Sequence, residues 1–360
     1  MTFTGQLNAN EVLASLYNMI ISQHFYADNI AGTFGSIMEE SRVDGSLYGD
    51  TKLFYAQDVM HSKPWGMDAE ATNLLATHRP SETKTQAISL SVFRQLSLTL
   101  DEYMTKRAWL NEGAFSKFNT TMLQLLRDSK RVYDATTFNA YLCTAETNKG
   151  KQTQTITLPA NATAEDEAKA VATKIADIMV ELRNPNRNYN DYGFMRSLDK
   201  DSIRVVFNSR FANRITYTDL PAIYNNADLK DILTKEILPS EYFGEIKTAS
   251  GTVPANNTTI RALKESEYTV GQTKTEIFAS ELLPDGASYD ANTVYEEKDS
   301  VICKIMHKYS IPFMSAFVVA TSFFNPKALL TNHYLTWGHN ELEYLENYPL
   351  ITLKITRSQA

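Results

Sequence analysis

From Thr85 to Leu100, residues Ile88, Leu90, Val92, Leu96, Leu98 and Leu100 share one parity, while Ser89, Ser91, Gln95, Ser97 and Thr99 occupy the other. A period of two marks a β-strand with one apolar face. At ~3.3 Å per residue this strand reaches ~50 Å, far past the usual ~5 to 6 residues. It either projects beyond a compact domain or runs as an unusually long central strand of a large sheet. A projecting two-stranded ribbon is marginal in isolation, so one that persists lies on something else. Lys52 to Val59 reads as the partner strand, and the polar span between the two contains Pro64, Trp65, Gly66, His78, Arg79 and Pro80.

Around this strand the periodicity changes repeatedly. Asn10 to His24 places Val12, Leu13, Leu16, Tyr17, Ile20, Ile21 and His24 at three- and four-residue spacing, an amphipathic helix that needs a partner. Gly32 to Thr51 is irregular and reads as an arm lying across other surfaces. Ala114 to Tyr133 is helical, with Phe115, Phe118, Met122, Leu125, Leu126, Val132 and Tyr133 on one side. A short strand at Gln154 to Leu158 leads to a second helix. Thr163 is its N-cap, Glu165, Asp166 and Glu167 suit the positive end of its dipole, and Arg183 before Asn184-Pro185 marks its exit. Further strands are expected at Ile203 to Phe207, Ile277 to Leu283, Val301 to Met306, Phe313 to Thr321 and Leu350 to Thr356. Short helical pieces are expected at Leu220 to Tyr224 and Leu229 to Thr234, and a polar loop from Thr248 to Thr259. Helices and strands mix without regular βαβ alternation, so the fold class is α+β.

Charge narrows the function. Of 360 residues, 35 are Lys or Arg and 42 are Asp or Glu, a formal charge of -7 that argues against a protein gripping nucleic acid. The first basic residue is Arg42, so the N-terminus has neither the basic region of a secretory signal nor the Arg-rich face of a transit peptide. No charge interrupts Tyr309 to Pro326, but Ser310, Pro312, Ser315, Thr321, Ser322, Asn325 and Pro326 break its apolarity. A buried strand pair fits this stretch better than a membrane span.

The sequence contains no catalytic constellation. Gly271-Gln272-Thr273-Lys274 lacks the second glycine of a phosphate loop, and neither GxGxxG nor GxSxG occurs. His333 and His339 are six apart, a spacing that does not put both rings on one helical face, and they read as polar residues near aromatic packing rather than a metal pair. Cys143 and Cys303 read as buried thiols in a reducing compartment, with a disulfide as the alternative. Adjacent carboxylates such as Glu39 with Glu40 point apart and read as solvated surface. No cofactor or metal is implied. Trp65, Trp109 and Trp337 are interface anchors or core residues, and Trp65, within the polar span, is the better interface candidate.

The order of parts is an arm, a long ribbon, a long helix and a mixed body closing on a strand. It resembles the major capsid proteins of tailed bacteriophages, whose shell fold is shared with herpesvirus capsid proteins and encapsulins. The strings that carry the resemblance are Leu47-Tyr48-Gly49-Asp50-Thr51-Lys52, the run from Thr105 to Phe115 (TKRAWLNEGAF), Val301 to Lys308 (VICKIMHK), Ser322 to Pro326 (SFFNP) and Asn332 to Gly338 (NHYLTWG). Their number and order give the specificity, over about Tyr17 to Thr356.

The resemblance implies a non-enzymatic virion protein with an N-terminal arm at 1–50 and an extended β-ribbon, the E-loop, at 51–106. A peripheral domain with a spine helix would span 107–190 and 301–360, and an axial domain 191–300. The subunit would self-assemble into pentamers and hexamers of an icosahedral head enclosing double-stranded DNA, without sequence-specific DNA binding and without a membrane. Assembly would occur in the host bacterial cytoplasm, with scaffolding, portal and decoration proteins as further partners; no scaffolding domain is evident before the arm helix. Leu16, Tyr17, Ile20, Trp65, Arg79 and Arg94 are the subunit-interface candidates. The competing expectations are an encapsulin-like compartment shell, a tail or connector component, and an enzyme with a dispersed site.

Overall fold

The computed structural model describes residues 35–45, 50–62, 77, 79–100, 112–145, 152–212, 236–248, 251–253, 294–297 and 300–358. Contacts divide the chain into two units. Of the described residues, those within 93–134 and 317–338 belong to one unit, and those within 35–92, 135–316 and 339–360 to the other. The expected helix at Asn10 to His24, the pieces at 220–224 and 229–234, the strand at 277–283, and Trp65 and Trp109 lie outside the described residues.

The larger unit is built on a five-stranded sheet. β4 (Thr153–Leu158), β5 (Ile203–Asn208), β6 (Ile237–Leu238), β10 (Val301–His307) and β13 (Leu350–Arg357) stand in the order β4-β13-β10-β5-β6. β10 is antiparallel to both neighbours, with Cys303 opposite Phe207 and Ile305 opposite Ile351. Its seven residues are all buried, as expected of a central strand covered on both faces. Helix α3 (Ala164–Arg183) packs Val171, Ile175, Ile178 and Leu182 into a core with Val205, Phe207, Ile305 and Leu353. Its start is fixed by a reciprocal capping box: Thr163 Oγ1 accepts the Asp166 N–H, and Asp166 Oδ2 accepts the Thr163 N–H at 3.1 Å.

Helix α2 (Glu112–Thr144) runs eleven residues past its sequence-predicted end at Tyr133. From Ala135 onward only Thr136 escapes full burial. A helix covered all round has no stripe, and Asp134, Thr137 and Asn139 erase the apolar signal that sequence periodicity relies on. Just beyond it, the Ala145 carbonyl accepts from the fully buried Lys304 Nζ at 2.7 Å, and the same ammonium donates to Thr352 Oγ1 at 2.8 Å. A buried cation there satisfies a carbonyl at the negative end of the helix dipole.

The segment read as an irregular arm contains α1 (Ser36–Glu40) and β1 (Arg42–Asp44). Gly35 adopts φ +75°, a conformation that strains any residue with a side chain, and a Cβ there would approach Ala135 Cβ to a tight 3.1 Å. α1 buries Ile37 and Met38, Ser41 Oγ donates to the Lys308 carbonyl at 2.7 Å, and β1 pairs in parallel with Phe313–Ser315. Within the expected polar loop at 248–259 lies β8 (Gly251–Val253), which pairs with β7 (Gly244–Thr248), itself paired with β9 (Val294–Glu297).

β2 (Thr51–Ala56) and β3 (Lys84–Leu100) pair antiparallel over residues 51–56 and 84–89. β3 is the long strand expected from its alternation, and it buries Ile88, Leu90, Val92 and Leu100. It is not a free two-stranded ribbon along its whole length. In the smaller unit its other side is occupied by β12 (Leu330–Asn340), a strand absent from the sequence reading, with Gln95 Nε2 donating to Thr336 Oγ1 at 3.0 Å and Thr99 Oγ1 to Asn332 Oδ1 at 2.8 Å. The polar start of β12 conceals it, because alternation appears only where one face is apolar. β12 in turn pairs with β11 (Phe313–Asn325). β11 is buried only at its start: residues 313–315 are covered, whereas 318–324 are exposed, which corrects the expectation of a buried strand pair.

Candidate interface surfaces

Gln57 and Asp58, just after β2, are fixed by polar contacts within the larger unit. Asp58 accepts the Met195 N–H at 2.8 Å and pairs with Arg187, whose Nη1 also donates to the Gly193 carbonyl at 2.9 Å. The Met195 N–H and Arg187 together hold the Asp58 carboxyl down at about 2. Arg196 donates to the Gln57 carbonyl at 3.0 Å and to Asn347 Oδ1 at 2.9 Å. On β3, Gln86 donates to the Tyr344 carbonyl and accepts the Glu346 N–H. Residues 57 and 58 after β2, and Gln86 on β3, are therefore each anchored within the larger unit.

Next to these anchors, four large apolar side chains are open to solvent. β2 turns Leu53 and Tyr55 outward, 52% and 66% exposed, and Val59 and Met60 follow at 52% and 67%. Asp58, Val59, Met60 and His61 face Thr77 and Arg79–Ser81 across an open cavity. Arg79, an interface candidate, is exposed at its rim. The sequence did contain the signal: Lys52 to Val59 carries large apolar residues on both parities, and a strand with two apolar faces needs two covering surfaces.

Arg94, the other described candidate, is half-buried. Its Nε donates to Tyr133 Oη at 3.0 Å, and its guanidinium lies 5.0 Å from the centre of the same ring. Tyr133 meets Trp337 edge to face at 5.6 Å, and Lys130, paired with Asp134, lies over the indole at 5.7 Å. Trp337 is 2% exposed, the core reading of the two expected for it. Leu16, Tyr17, Ile20 and Trp65 lie outside the described residues.

A second apolar surface lies on the smaller unit. β11 exposes Val318 at 52% on one face, and Val319 and Phe323 at 39% and 65% on the other. Leu329, in the connection to β12, holds φ 57° and is 48% exposed. Residues of β11 and β12, including Ala320, Ser322 and His333, face Leu123, Leu126 and Arg127 of α2 across a groove. Leu123 and Leu125 are themselves 41% and 46% exposed.

Nothing in these surfaces resembles a reaction centre. Among the described residues no three metal-ligating side chains converge, and no helix is long and apolar enough to cross a membrane. Cys143 and Cys303 are unbridged and fully buried, and burial pushes both thiols well above the usual range. His339 is buried against Phe313 at 5.8 Å, with Nδ1 2.8 Å from the Asn340 carbonyl. Glu39 and Glu40 do point apart, toward Arg42 and Arg204 respectively, so neither is merely solvated.

The architecture is that of phage capsid structures. A chain of the capsid structure of Staphylococcus phage Andhra superposes with a TM-score of 0.62 at 11% identity, covering 88% of this chain and 83% of that one. A chain from the structure of the head fiber and inner core protein gp22 of native bacteriophage P68 gives 0.61 at 13% identity, covering 90% and 85%. At such identities the likeness is one of fold. The sequence itself matches the Phi29-like phage major capsid protein family over residues 2–347, and the chain belongs to that family. No curated protein matches it. The protein is a structural subunit of a phage capsid, the role expected from the arm-ribbon-helix order.

Proposed function

We propose that this subunit assembles through pentamers and hexamers into an icosahedral head that encloses packaged double-stranded DNA. The family match over nearly the whole chain is the observation that carries the reading. In this reading residues 1–50 are an arm and 51–106 an E-loop, both reaching over neighbouring copies. Residues 107–190 and 301–360 form a peripheral domain on the spine helix α2, and 191–300 an axial domain around the symmetry axes. Leu16, Tyr17, Ile20, Trp65, Arg79 and Arg94 contribute to contacts between copies. Portal, scaffolding and decoration proteins are its further partners, and assembly takes place in the bacterial cytoplasm.

The physical basis is additive. Contacts that are individually modest give a stable shell when each subunit makes several at once, because each contact formed raises the effective concentration for the next. A net charge of -7 suits a wall that contains DNA without adhering to it. Electron microscopy and sedimentation of the expressed chain, alone and with a scaffolding protein, test the proposal. Closed shells with capsomers of five and six are expected. Small rings or monomers under every condition would overturn it, and closed particles filled with protein cargo would indicate a compartment shell instead.

A further inference from the structure

We infer that β4 of one copy and β9 of the next pair edge to edge, so that a sheet runs on from subunit to subunit. The inference rests on the shell reading and names a backbone contact between copies.

The two edges of the five-stranded sheet are built differently. β6 closes one edge with two residues and is followed at once by Pro239, and a short strand ended by proline offers little to pair with. β4 forms the other edge with six residues, TQTITL, among which there is no proline and no charge. Its parallel register with β13 is unbroken from Thr153 to Leu158. The Thr352 N–H donates to the Gln152 carbonyl and the Ser358 N–H to the Leu158 carbonyl, both at 2.8 Å, so the even-numbered residues of β4 face β13. The N–H and C=O of Thr153, Thr155 and Thr157 therefore point away from the sheet, and all three residues are exposed. An edge left this way is a template for another strand.

A groove runs beside that edge, with Thr155 and Ile156 on one wall and Lys169, Thr173, Lys174 and Asp177 of α3 on the other. Lys169 also pairs with Glu165 at 2.7 Å, an exposed pair whose exchange for another carboxylate costs little. Lys149 and Lys151, just before β4 in sequence, add charge of the same sign. An incoming strand suited to this place is acidic.

β9 has that character. It borders only β7, and its four residues, VYEE, hold two carboxylates and no base. Glu296 stands directly opposite Glu245 in the ladder, and like charges so placed destabilise a strand pair. Lys247, two places along the same face, offsets one of the two. The surplus carboxylate meets its counter-charge at the lysines beside β4. β8, the other edge of that small sheet, is uncharged and three residues long. β4 and β9 belong to different sheets of the larger unit, so neither edge is closed by the other within one chain. A contact between unlike edges passes from copy to copy and can close into a ring, whereas pairing of identical edges stops at a dimer.

Hydrogen exchange of the full-length chain, dissociated and assembled, reads the contact directly. In the dissociated subunit the amides of Gln154, Ile156 and Leu158 are held by β13, and those of Thr153, Thr155 and Thr157 should exchange freely. On assembly the three threonine amides and the segment 294–297 should both slow by ~10-fold or more. Thr155→Pro blocks the edge without removing a ladder bond, because that N–H points outward. Its unfolding midpoint should match the parent while assembly is lost, and normal assembly would overturn the inference. Lys174→Glu and Glu296→Lys should each weaken assembly and restore it when combined in one chain. If Thr155→Pro does not fold, this exchange of charges decides, and assembly indifferent to both single substitutions overturns the contact. Closed particles in which residues 153–157 exchange as in the dissociated subunit overturn it too and leave the shell reading intact. Slowing at 153–157 without slowing at 294–297 also overturns it, since another strand then fills the edge. Slowing at both segments in open oligomers sustains the contact and counts against the shell. A chain that stays monomeric, with fast exchange at both, counts against the two together.

Discussion

β10 and β11 follow one another in the chain and meet opposite environments. All seven residues of β10 are buried, between β13 and β5 and beneath α3, whereas residues 318–324 of β11 are exposed on both faces. Their compositions hardly differ: VICKIMH contains a lysine and a histidine, and FVVATSFF contains no charge. The strand with the less apolar sequence is the more buried one. Burial in β10 is set by what the single chain folds onto, whereas the described residues leave the apolar side chains of β11 uncovered. The same divide runs along α2, which is exposed at Leu123 and Leu125 and enclosed from Tyr133 onward.

The largest effect tests the closed side of this comparison. Phe207, fully buried on β5 opposite Cys303, is expected to cost ~3 to 5 kcal/mol on replacement by alanine, through lost transfer energy and the cavity left behind. Urea unfolding of the subunit measures it. A loss below ~1 kcal/mol would mean that β5 and β10 are not the centre of the subunit's stability.

Next is the ammonium inside that sheet. Lys304→Met keeps the length of the side chain and deprives the Ala145 carbonyl and Thr352 Oγ1 of their donor, an expected loss of ~1 to 3 kcal/mol for the buried acceptor left unsatisfied. Hydrogen exchange should show the loss concentrated at the C-terminal turns of α2. Uniform exchange along the helix would sever the link between the lysine and the helix end.

His307, at the end of β10, makes the closed side sensitive to acid. Burial, with smaller contributions from Lys308 and Arg204, lowers its pKa to about 4; the ring stacks on Tyr348 at 4.4 Å, and Nδ1 accepts the Tyr309 N–H at 3.1 Å. Protonation would turn that acceptor into a donor facing a donor. Because the folded pKa lies below the unfolded ~6.5, the unfolded chain binds more protons in between. The associated stability is fully present above pH ~6.5 and is lost as pH falls toward about 4, by roughly 1 to 2 kcal/mol once the ~3 kcal/mol that such a shift carries in full is discounted for solvent screening of a partly accessible ring. His307→Phe should flatten this part of the stability profile. A variant that follows the wild-type curve would place the acid sensitivity elsewhere.

How much of this was legible depends on the range of the forces involved. The start of α3 could be read because Thr163 and Asp166 complete their capping box within four residues. The length of β3 could be read because one of its faces stays polar along much of the strand. The far end of α2 could not, since Asp134, Thr137 and Asn139 are buried although polar, and local propensity gives no warning of that. The exposure of β11 was misread for the converse reason: an apolar run carries no mark of whether its cover comes from its own chain or from another. Of the interface candidates within the described residues, Arg79 is exposed and Arg94 is held by Tyr133, whereas Tyr55 and Phe323, the most exposed aromatic residues described, were not among the candidates.

The smallest effect on the subunit tests the open side. Phe323 is 65% exposed, so truncation to alanine removes little burial, and the expected change in unfolding free energy is within ~0.5 kcal/mol. In the shell the same truncation would act once per copy. A loss of ~1 kcal/mol at each contact accumulates over all of them, so the concentration at which particles form should rise steeply while the monomer's unfolding curve stays in place. Phe323→Asp sharpens the effect, because a contact made there in the shell would have to bury a charge. Light scattering against concentration measures assembly, and urea unfolding of the dissociated chain measures the fold. If Phe323→Ala destabilises the monomer as much as a core truncation does, the outer half of β11 is part of the subunit's own core and the contrast with β10 fails.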